Sequence, residues 1–320
     1  MGKLLLHIFG ISPEETTFAR RGFFDGNPRA RQRLEQIGTT FLEGYHAALD
    51  HDDLDALFYE LNLIEADLRG FAFEGAAMGL SLLDHLTPWD TERLSRFLDG
   101  PGSVHVYMLY VGAGWALARL PWTRVRVEKR LDRMHPLLKW LVLDGYGFHE
   151  GYFHWKRYIR GDLMPGRLSA FGRRVFDQGL GRSLWFVHGG DATRVAATIA
   201  AFPLARRVDL WRGVGLACAY AGGVDRSGIG ALRRVAEPYI PQLARGAAFA
   251  AKARERAGNP AECTELACEI LCGKSAHAAA AVTDASLNNL PEDGPEPAYE
   301  VWQQRIQARF AESRTWGAKS

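Results

Sequence analysis

The sequence has few cysteines, no excess of charge of one sign and no long uninterrupted apolar run. Lysine and arginine number 39 against 37 acidic residues, which gives a formal net charge of +2. This balance provides no strong field for binding a polyanion, so nucleic acid is not expected as a partner. The longest apolar candidate, YMLYVGAGWALARLPW, is interrupted by Arg119 and Pro121. We therefore expect no transmembrane segment.

The four cysteines argue against a disulfide framework, because three of them lie in one short C-terminal stretch. Cys263, Cys268 and Cys272 have the spacing C-x4-C-x3-C, and Cys218 lies far from them in the sequence. An iron–sulfur cluster needs a fourth ligand and usually tighter spacing, so buried small side chains are the favoured interpretation. The N-terminus also lacks a small-residue cleavage site for export. These features predict a cytoplasmic protein.

Familiar cofactor fingerprints are missing as well, so the cofactor is unknown. Residues 176–190, FDQGLGRSLWFVHGG, contain glycines like a phosphate loop but no Walker lysine and no preceding strand. His149 and His154 flank Glu150 at a spacing of five residues, whereas the zinc motif H-E-x-x-H needs four to place both histidines on one helix face. A di-iron bundle would need E-x-x-H instead. We predict no metal site.

Apolar and small residues recur at helical spacing along most of the chain. Residues 28–49 form an amphipathic pattern, and the second half is rich in alanine segments divided by glycine and proline. The apolar stretch that follows residue 52 is expected to break near Arg69 and Gly70. We predict an all-α fold, either a helical bundle or stacked two-helix, solenoid-like repeats. A single domain over residues 1–320 is expected, with a loop near 285–298 before a C-terminal helix.

Glycines suggest a repeat. Gly75, Gly112, Gly151 and Gly190 are separated by 37, 39 and 39 residues. Such a period is typical of two-helix units, each of which buries its apolar face against its neighbours. A plain bundle in which glycines allow close helix packing explains the same residues, because the chain contains 34 glycines.

Candidate catalytic residues lie in two segments. The stretch DGYGFHEGYFHW begins at Asp144 and contains His149 and Glu150, in which a carboxylate could fix the tautomer of an imidazole base, and Tyr146, a hydroxyl donor. Glu74 is a single carboxylate within the apolar run FAFEGAAMG, where it needs a partner or a raised pKa. The alternatives are a helix-packing seam for the first segment and a structural ion pair for Glu74.

Arginines beside tryptophans suggest a ligand site. Arg182 with Trp185, and Arg206 with Asp209 and Trp211, could line a cavity for an apolar ligand that carries one carboxylate or carbonyl. Packing of arginine on tryptophan is the alternative, and nine tryptophans make it a strong one. Arginines that could partner Glu74 are Arg69, Arg182, Arg206 and Arg212.

Six segments, in chain order, carry a resemblance to a known family: RGFAFEGAAMG, YVGAGWALARLPW, DGYGFHEGYF, FDQGLGRSLWFVHGG, RRVDLWRGVGLACAYAGG and LARGAAFAAKAR. Together they resemble the DUF1702 family, from about Phe23 to the final YEVWQQRI segment. Members of that family are associated with biosynthetic clusters for enediyne natural products, as accessory partners of an iterative polyketide synthase that makes a linear polyene. The resemblance implies a step of antibiotic biosynthesis after polyene formation, and it assigns no catalytic residues.

Two functions fit these observations. The first is an enzyme with an apolar, aromatic-lined cavity that processes a polyene-derived intermediate. The second is a non-catalytic carrier or scaffold that binds and protects the polyene. Membrane-peripheral association is a third, weaker idea. The expected partners are an apolar small-molecule substrate and other enediyne biosynthetic proteins, and the oligomeric state is open.

Overall fold

The regular secondary structure is entirely helical in the part of the chain that the structure describes. The computed structural model describes residues 2–87, 89–120, 127–160, 163–294 and 296–317. Within these residues the chain forms 17 α-helices, short 3₁₀ segments, one π-helical segment and no β-strand. The predicted all-α fold is confirmed. None of the helices in these ranges is long and apolar enough to cross a membrane.

The first eight helices are α1 (Gly2–Phe9), α2 (Phe18–Arg21), α3 (Pro28–Asp50), α4 (Leu54–Asn62), α5 (Ala66–Leu86), α6 (Arg93–Asp99), α7 (Val106–Arg119) and α8 (Val127–Leu131). The remaining nine are α9 (Leu141–Phe153), α10 (Ala170–Val187), α11 (Ala192–Ala201), α12 (Leu204–Ala221), α13 (Arg226–Val235), α14 (Ile240–Ala257), α15 (Glu262–Cys272), α16 (Ala276–Ala285) and α17 (Ala298–Gly317). The π-helical segment, Lys156–Arg160, follows α9.

Seven longer helices form a continuous series in which each packs against the next: α3, α5, α7, α9, α10, α12 and α14. Shorter helices connect most of them, so the chain is organised in stacked two-helix units. The series curls until its two ends meet. Arg33 Nε of α3 donates to the carbonyl of Ala221 in α12 at 3.3 Å, and Arg254 Nη2 of α14 donates to the carbonyl of Asp67 in α5 at 3.1 Å.

Glycines let these helices touch backbone to backbone. A Cβ placed on Gly112 would lie 2.0 Å from the carbonyl oxygen of Glu74, and one on Gly145 would lie 1.9 Å from that of Val111. The same contact recurs at three later crossings, through Gly179, Gly213 and Gly246. From Gly112 onward these glycines are separated by 33 or 34 residues. The spacing of these glycines defines the repeat, and at five of the six helix crossings a second glycine, on the partner helix, makes the reciprocal backbone contact.

The predicted repeat positions are partly wrong. Gly75 and Gly112 do occupy this contact, with Gly75 against the carbonyl of Phe41. Gly151 instead faces the side chain of Ser183, and Gly190 lies in the turn after α10 with a φ of 73°. The sequence spacing was ambiguous because the turns and the crossings both use glycine.

One helix boundary also differs from the prediction. The expected break near Arg69 and Gly70 lies earlier, between the end of α4 at Asn62 and the start of α5 at Ala66. Gly70 is inside α5, where a Cβ would lie 2.0 Å from the hydroxyl of Tyr220. This glycine therefore allows α12 to pack closely against α5, and it does not end a helix.

Replacing Gly179 with alanine should lower the free energy of unfolding by about 2–3 kcal/mol, because the new methyl group would lie 1.8 Å from the backbone oxygen of Asp144 and force α9 and α10 apart. Gly230→Ala is the matched control. That glycine lies in α13 with no atom nearer than Arg234 Nη1 at 3.6 Å, so alanine there should add about 0.5–1 kcal/mol through helix propensity. Urea unfolding measures both, and equal effects would contradict the contact argument.

Candidate functional site

We call Gly75, Gly112, Gly145, Gly179, Gly213 and Gly246 the repeat glycines. The residue directly before each of them is buried, and in five of the six cases it is polar or charged. These residues are Glu74, Asp144, Gln178, Arg212 and Arg245. Because consecutive helices pack at these positions, the fold places their side chains in neighbouring units near one another. Each of these helices thus contributes at least one polar group to the interior, and such groups need partners there.

Glu74 and Asp144 share one arginine. Arg182 Nη1 donates to Asp144 Oδ1 at 2.5 Å, and Gln178 Nε2 donates to Asp144 Oδ2 at 2.8 Å. Arg182 Nη2 is 3.8 Å from Glu74 Oε2, too far for a hydrogen bond. Glu74 Oε1 accepts from Trp115 Nε1 at 3.0 Å, whereas Oε2 has no hydrogen-bond partner among the described residues. Glu74 is therefore the less satisfied of the two carboxyl groups.

This environment changes the acidity of Glu74. Burial raises the pKa of Glu74 to about 7, and the nearby positive charge of Arg182 offsets burial only in part. The negative charge of Asp144 raises that pKa further. A carboxyl group with a pKa near neutrality can both donate and accept a proton at physiological pH, which is the property of a general acid or base.

Glu74 faces an apolar cavity. The cavity is narrow, since only about 30 Å³ of it is wide enough for the centre of a water molecule. Residues 11–16, which precede α2, contribute to one end of it through Ile11, Glu15 and Thr16. Half of the lining residues are aromatic: Phe41, Phe71, Trp115, Phe148, Tyr152, Phe153 and Phe186. We call it the Glu74 cavity.

His149 and Glu150 lie beside this cavity and do not line it. The His149 Nδ1 atom is 3.6 Å from Glu150 Oε1, and the imidazole ring packs edge-to-face against Trp115 with centroids 5.5 Å apart. Burial lowers the pKa of His149 to about 4, so its imidazole is neutral near pH 7. Tyr146 packs against Phe176, with ring centroids 5.3 Å apart. Trp115 thus contacts both Glu74 and His149, and catalytic roles for His149, Glu150 and Tyr146 remain predictions.

The structure places only Arg182 of the predicted ligand-binding residues at the Glu74 cluster. Trp185 is fully buried and donates from Nε1 to the carbonyl of Gly222 at 2.8 Å. Trp211 stacks on Tyr239 with ring centroids 6.1 Å apart. Both tryptophans hold elements together at positions that do not line the cavity.

The remaining two, Arg206 and Asp209, belong to separate ion pairs. Arg206 Nη2 is 2.6 Å from Asp177 Oδ1. Asp209 accepts from Arg212, its neighbour one helical turn away, and from Arg174 Nε at 3.3 Å. The sequence therefore identified several buried ionic groups but did not show that they form more than one cluster.

Sequence reasoning missed Arg245. Its side chain is buried, Nη2 donates to Gln178 Oε1, and Nε and Nη1 have no partner among the described residues. Burial and the charge of Arg212 lower the pKa of Arg245 to about 9. The signal was present in the segment LARGAAF, since Arg245 precedes the glycine that occupies the repeat contact.

Three of the cysteines, Cys218, Cys268 and Cys272, are buried in the core, and Cys263 is partly exposed. Cys268 and Cys272 share the face of α15 that packs on α14, with their sulfur atoms 3.7 Å and 3.2 Å from the carbonyl oxygens of Ala247 and Ala244. All four cysteines are free. In the ranges that the structure describes, no three His, Cys, Asp or Glu side chains are placed to hold a metal ion.

The raised pKa of Glu74 predicts a pH-dependent stability. The folded protein holds this proton more tightly than the unfolded chain, whose carboxyl has a pKa near 4.5, so the folded state binds more protons between about pH 4.5 and 7. As pH rises from about 4.5 to 7, the free energy of unfolding of the wild type should therefore fall by about 3 kcal/mol relative to that of Glu74→Gln. Glu43→Gln is the control, because Glu43 precedes Gly44 but is exposed. If the free energy of unfolding had the same pH dependence in wild type and Glu74→Gln, the raised pKa of Glu74 would be refuted.

Comparison with known proteins assigns the family but no activity. No curated protein and no solved structure matches the chain. A family described as a protein of unknown function, DUF1702, matches residues 1–310. This match spans the repeat glycines, the Glu74 cluster and the aromatic cavity. The chain belongs to the DUF1702 family.

Proposed function

We propose that this protein is an enzyme of enediyne biosynthesis that binds a linear polyene-derived intermediate in the Glu74 cavity and transfers a proton to it from Glu74. The observation that carries the proposal is the position of one carboxyl group, with a pKa of about 7, at the wall of an aromatic cavity. The resemblance of six segments to proteins of enediyne clusters supports the substrate. We expect the protein to act in the cytoplasm beside the polyketide synthase that supplies the polyene.

The cluster around Glu74 suits proton transfer to a conjugated chain. Protonation at one carbon leaves a delocalised cation, which the faces of Trp115 and Phe148 can stabilise. The resulting Glu74 carboxylate lies 3.8 Å from the guanidinium of Arg182, which stabilises its negative charge. When another carbon returns a proton to that carboxylate, the double bonds have shifted and no oxidant is needed.

Trp115 positions the acid. Its indole N–H holds Glu74 Oε1 at 3.0 Å, which leaves the other oxygen to exchange the proton. The ring of Trp115 also packs on Phe41 and Phe148, with centroids 4.5 Å and 5.0 Å away. Because the same residue anchors the carboxyl group and forms the wall, the acid and the bound chain are held in contact.

The test is to incubate purified protein with polyene from the cognate synthase and to separate the products by chromatography with high-resolution mass spectrometry. A double-bond shift leaves the mass unchanged but alters retention and ultraviolet absorption. We expect a new isomer with wild type and Glu43→Gln, and none with Glu74→Gln. Co-purification of unchanged polyene by all three proteins, without any product, would contradict the enzyme and favour the carrier.

A further inference from the structure

A second apolar cavity lies on the other side of the Arg182–Asp144 ion pair. Both residues of the pair contribute to its wall, together with Val111, Leu216 and Phe249. This cavity is also narrow, since only about 20 Å³ of it is wide enough for the centre of a water molecule. We call it the Phe249 cavity, since α14 contributes Phe249 and two alanines to it.

The two cavities follow one another along the same helices. In α9, Leu141 and Asp144 line the Phe249 cavity, whereas Phe148 and Phe153 line the Glu74 cavity. The same order holds in α7, from Val111 to Trp115, and in α10, from Arg182 to Phe186. At 1.5 Å per residue, the stretch of α9 from Leu141 to Phe153 is about 18 Å long. The cavities therefore lie one after the other along these three helices, with the Arg182–Asp144 pair between them.

The polar cluster lies at their junction. The guanidinium of Arg182 is stacked over the ring of Phe148, 4.4 Å from its centroid, and reaches Asp144 on one side and Glu74 on the other. Asp144 lines one cavity and Glu74 the other. In a chain that entered both cavities, the central carbons would lie beside this cluster and the two apolar ends would lie in the two cavities.

We infer that the ligand is an unbranched apolar chain that occupies both cavities at once, with its central part beside Glu74 and Arg182. This inference rests on the proposed function, because it assigns Glu74 to the middle of the bound chain. Both cavities are narrow, so the chain makes room by displacing apolar side chains of their walls, whereas Arg182 keeps its ion pair with Asp144. The arrangement selects for length, since a short chain fills one cavity and gains nothing from the other.

Binding of chains of different length tests the inference without any reaction. Parinaric acid, a linear conjugated tetraene whose fluorescence rises on binding, reports occupancy, and octanoic and hexadecanoic acids compete with it. Leu42→Phe narrows the Glu74 cavity and Leu216→Phe narrows the Phe249 cavity. Leu204→Phe is the matched control, because Leu204 is 68% exposed on α12.

We expect Leu216→Phe to lower the affinity for hexadecanoic acid by about tenfold and to leave the affinity for octanoic acid unchanged. Overpacking costs about 1–3 kcal/mol, and only a ligand that reaches the overpacked cavity meets this cost. Leu42→Phe should lower the affinity for both acids, and Leu204→Phe should change neither affinity. If Leu216→Phe does not fold, Ala253→Val narrows the same cavity with a smaller change. The inference would be overturned if folded Leu216→Phe or Ala253→Val bound hexadecanoic acid as wild type does, or if wild type did not bind it. The proposed function is tested separately, by whether wild type forms the product and Glu74→Gln does not.

Discussion

Replacing Glu74 with glutamine should lower the rate of product formation by about a hundredfold or more while the protein remains folded, because the amide keeps the size of the side chain but cannot donate the proton. Trp115 Nε1 can still donate to the amide oxygen, so the cavity wall is conserved. The measurement is the initial rate of isomer formation for wild type, Glu74→Gln and Glu43→Gln. Equal rates for Glu74→Gln and wild type would remove Glu74 from the mechanism.

The pH profile of the wild type is a second readout of the same prediction. A proton donor must be protonated, so the rate should fall as pH rises through about 7, the pKa to which burial raises Glu74. Glu43→Gln should show the same profile, since Glu43 is exposed and does not line the cavity. A rate that instead rises through pH 7 would make the Glu74 carboxylate a base and would contradict its role as the donor.

Replacing Arg182 with methionine should lower the free energy of unfolding by about 3–5 kcal/mol, because Asp144 would remain buried without a charged partner. The matched control is Arg226→Met. Its ion pair with Glu269, 2.6 Å long, is between two exposed side chains and should contribute about 0–1 kcal/mol. Denaturant unfolding at pH 7 measures both variants.

A double variant separates the buried charge from the loss of packing. In Asp144→Asn with Arg182→Met, no unpaired charge remains at the junction of the two cavities, so the double variant should unfold less readily than Arg182→Met alone. If Arg182→Met destabilises the protein no more than Arg226→Met, the pair at the junction does not stabilise the fold. Gln178, which also donates to Asp144, stays in place in every variant.

The sequence by itself determined the helical class of the fold and several of its buried polar residues. Helical spacing of apolar residues is a local property, so the range 28–49 predicted α3, which spans Pro28–Asp50. A single carboxylate in FAFEGAAMG indicated that Glu74 needs a partner, and Arg182 was among the arginines named for it. Both inferences need only the neighbours along the chain and the cost of burying a charge.

Only the tertiary structure decided the register of the repeat and the membership of the site. Gly145 and Gly151 are equivalent in a sequence pattern, but just one of them contacts the backbone of α7. Likewise, Glu74 and Asp144 are 70 residues apart in sequence and meet through Arg182 because α5, α9 and α10 place them at one level of the stack. His149 follows Phe148, which lines the Glu74 cavity, but packs beside that cavity, since consecutive side chains on a helix point about 100° apart. Contacts between distant helices depend on packing of the whole stack, and no local pattern encodes them.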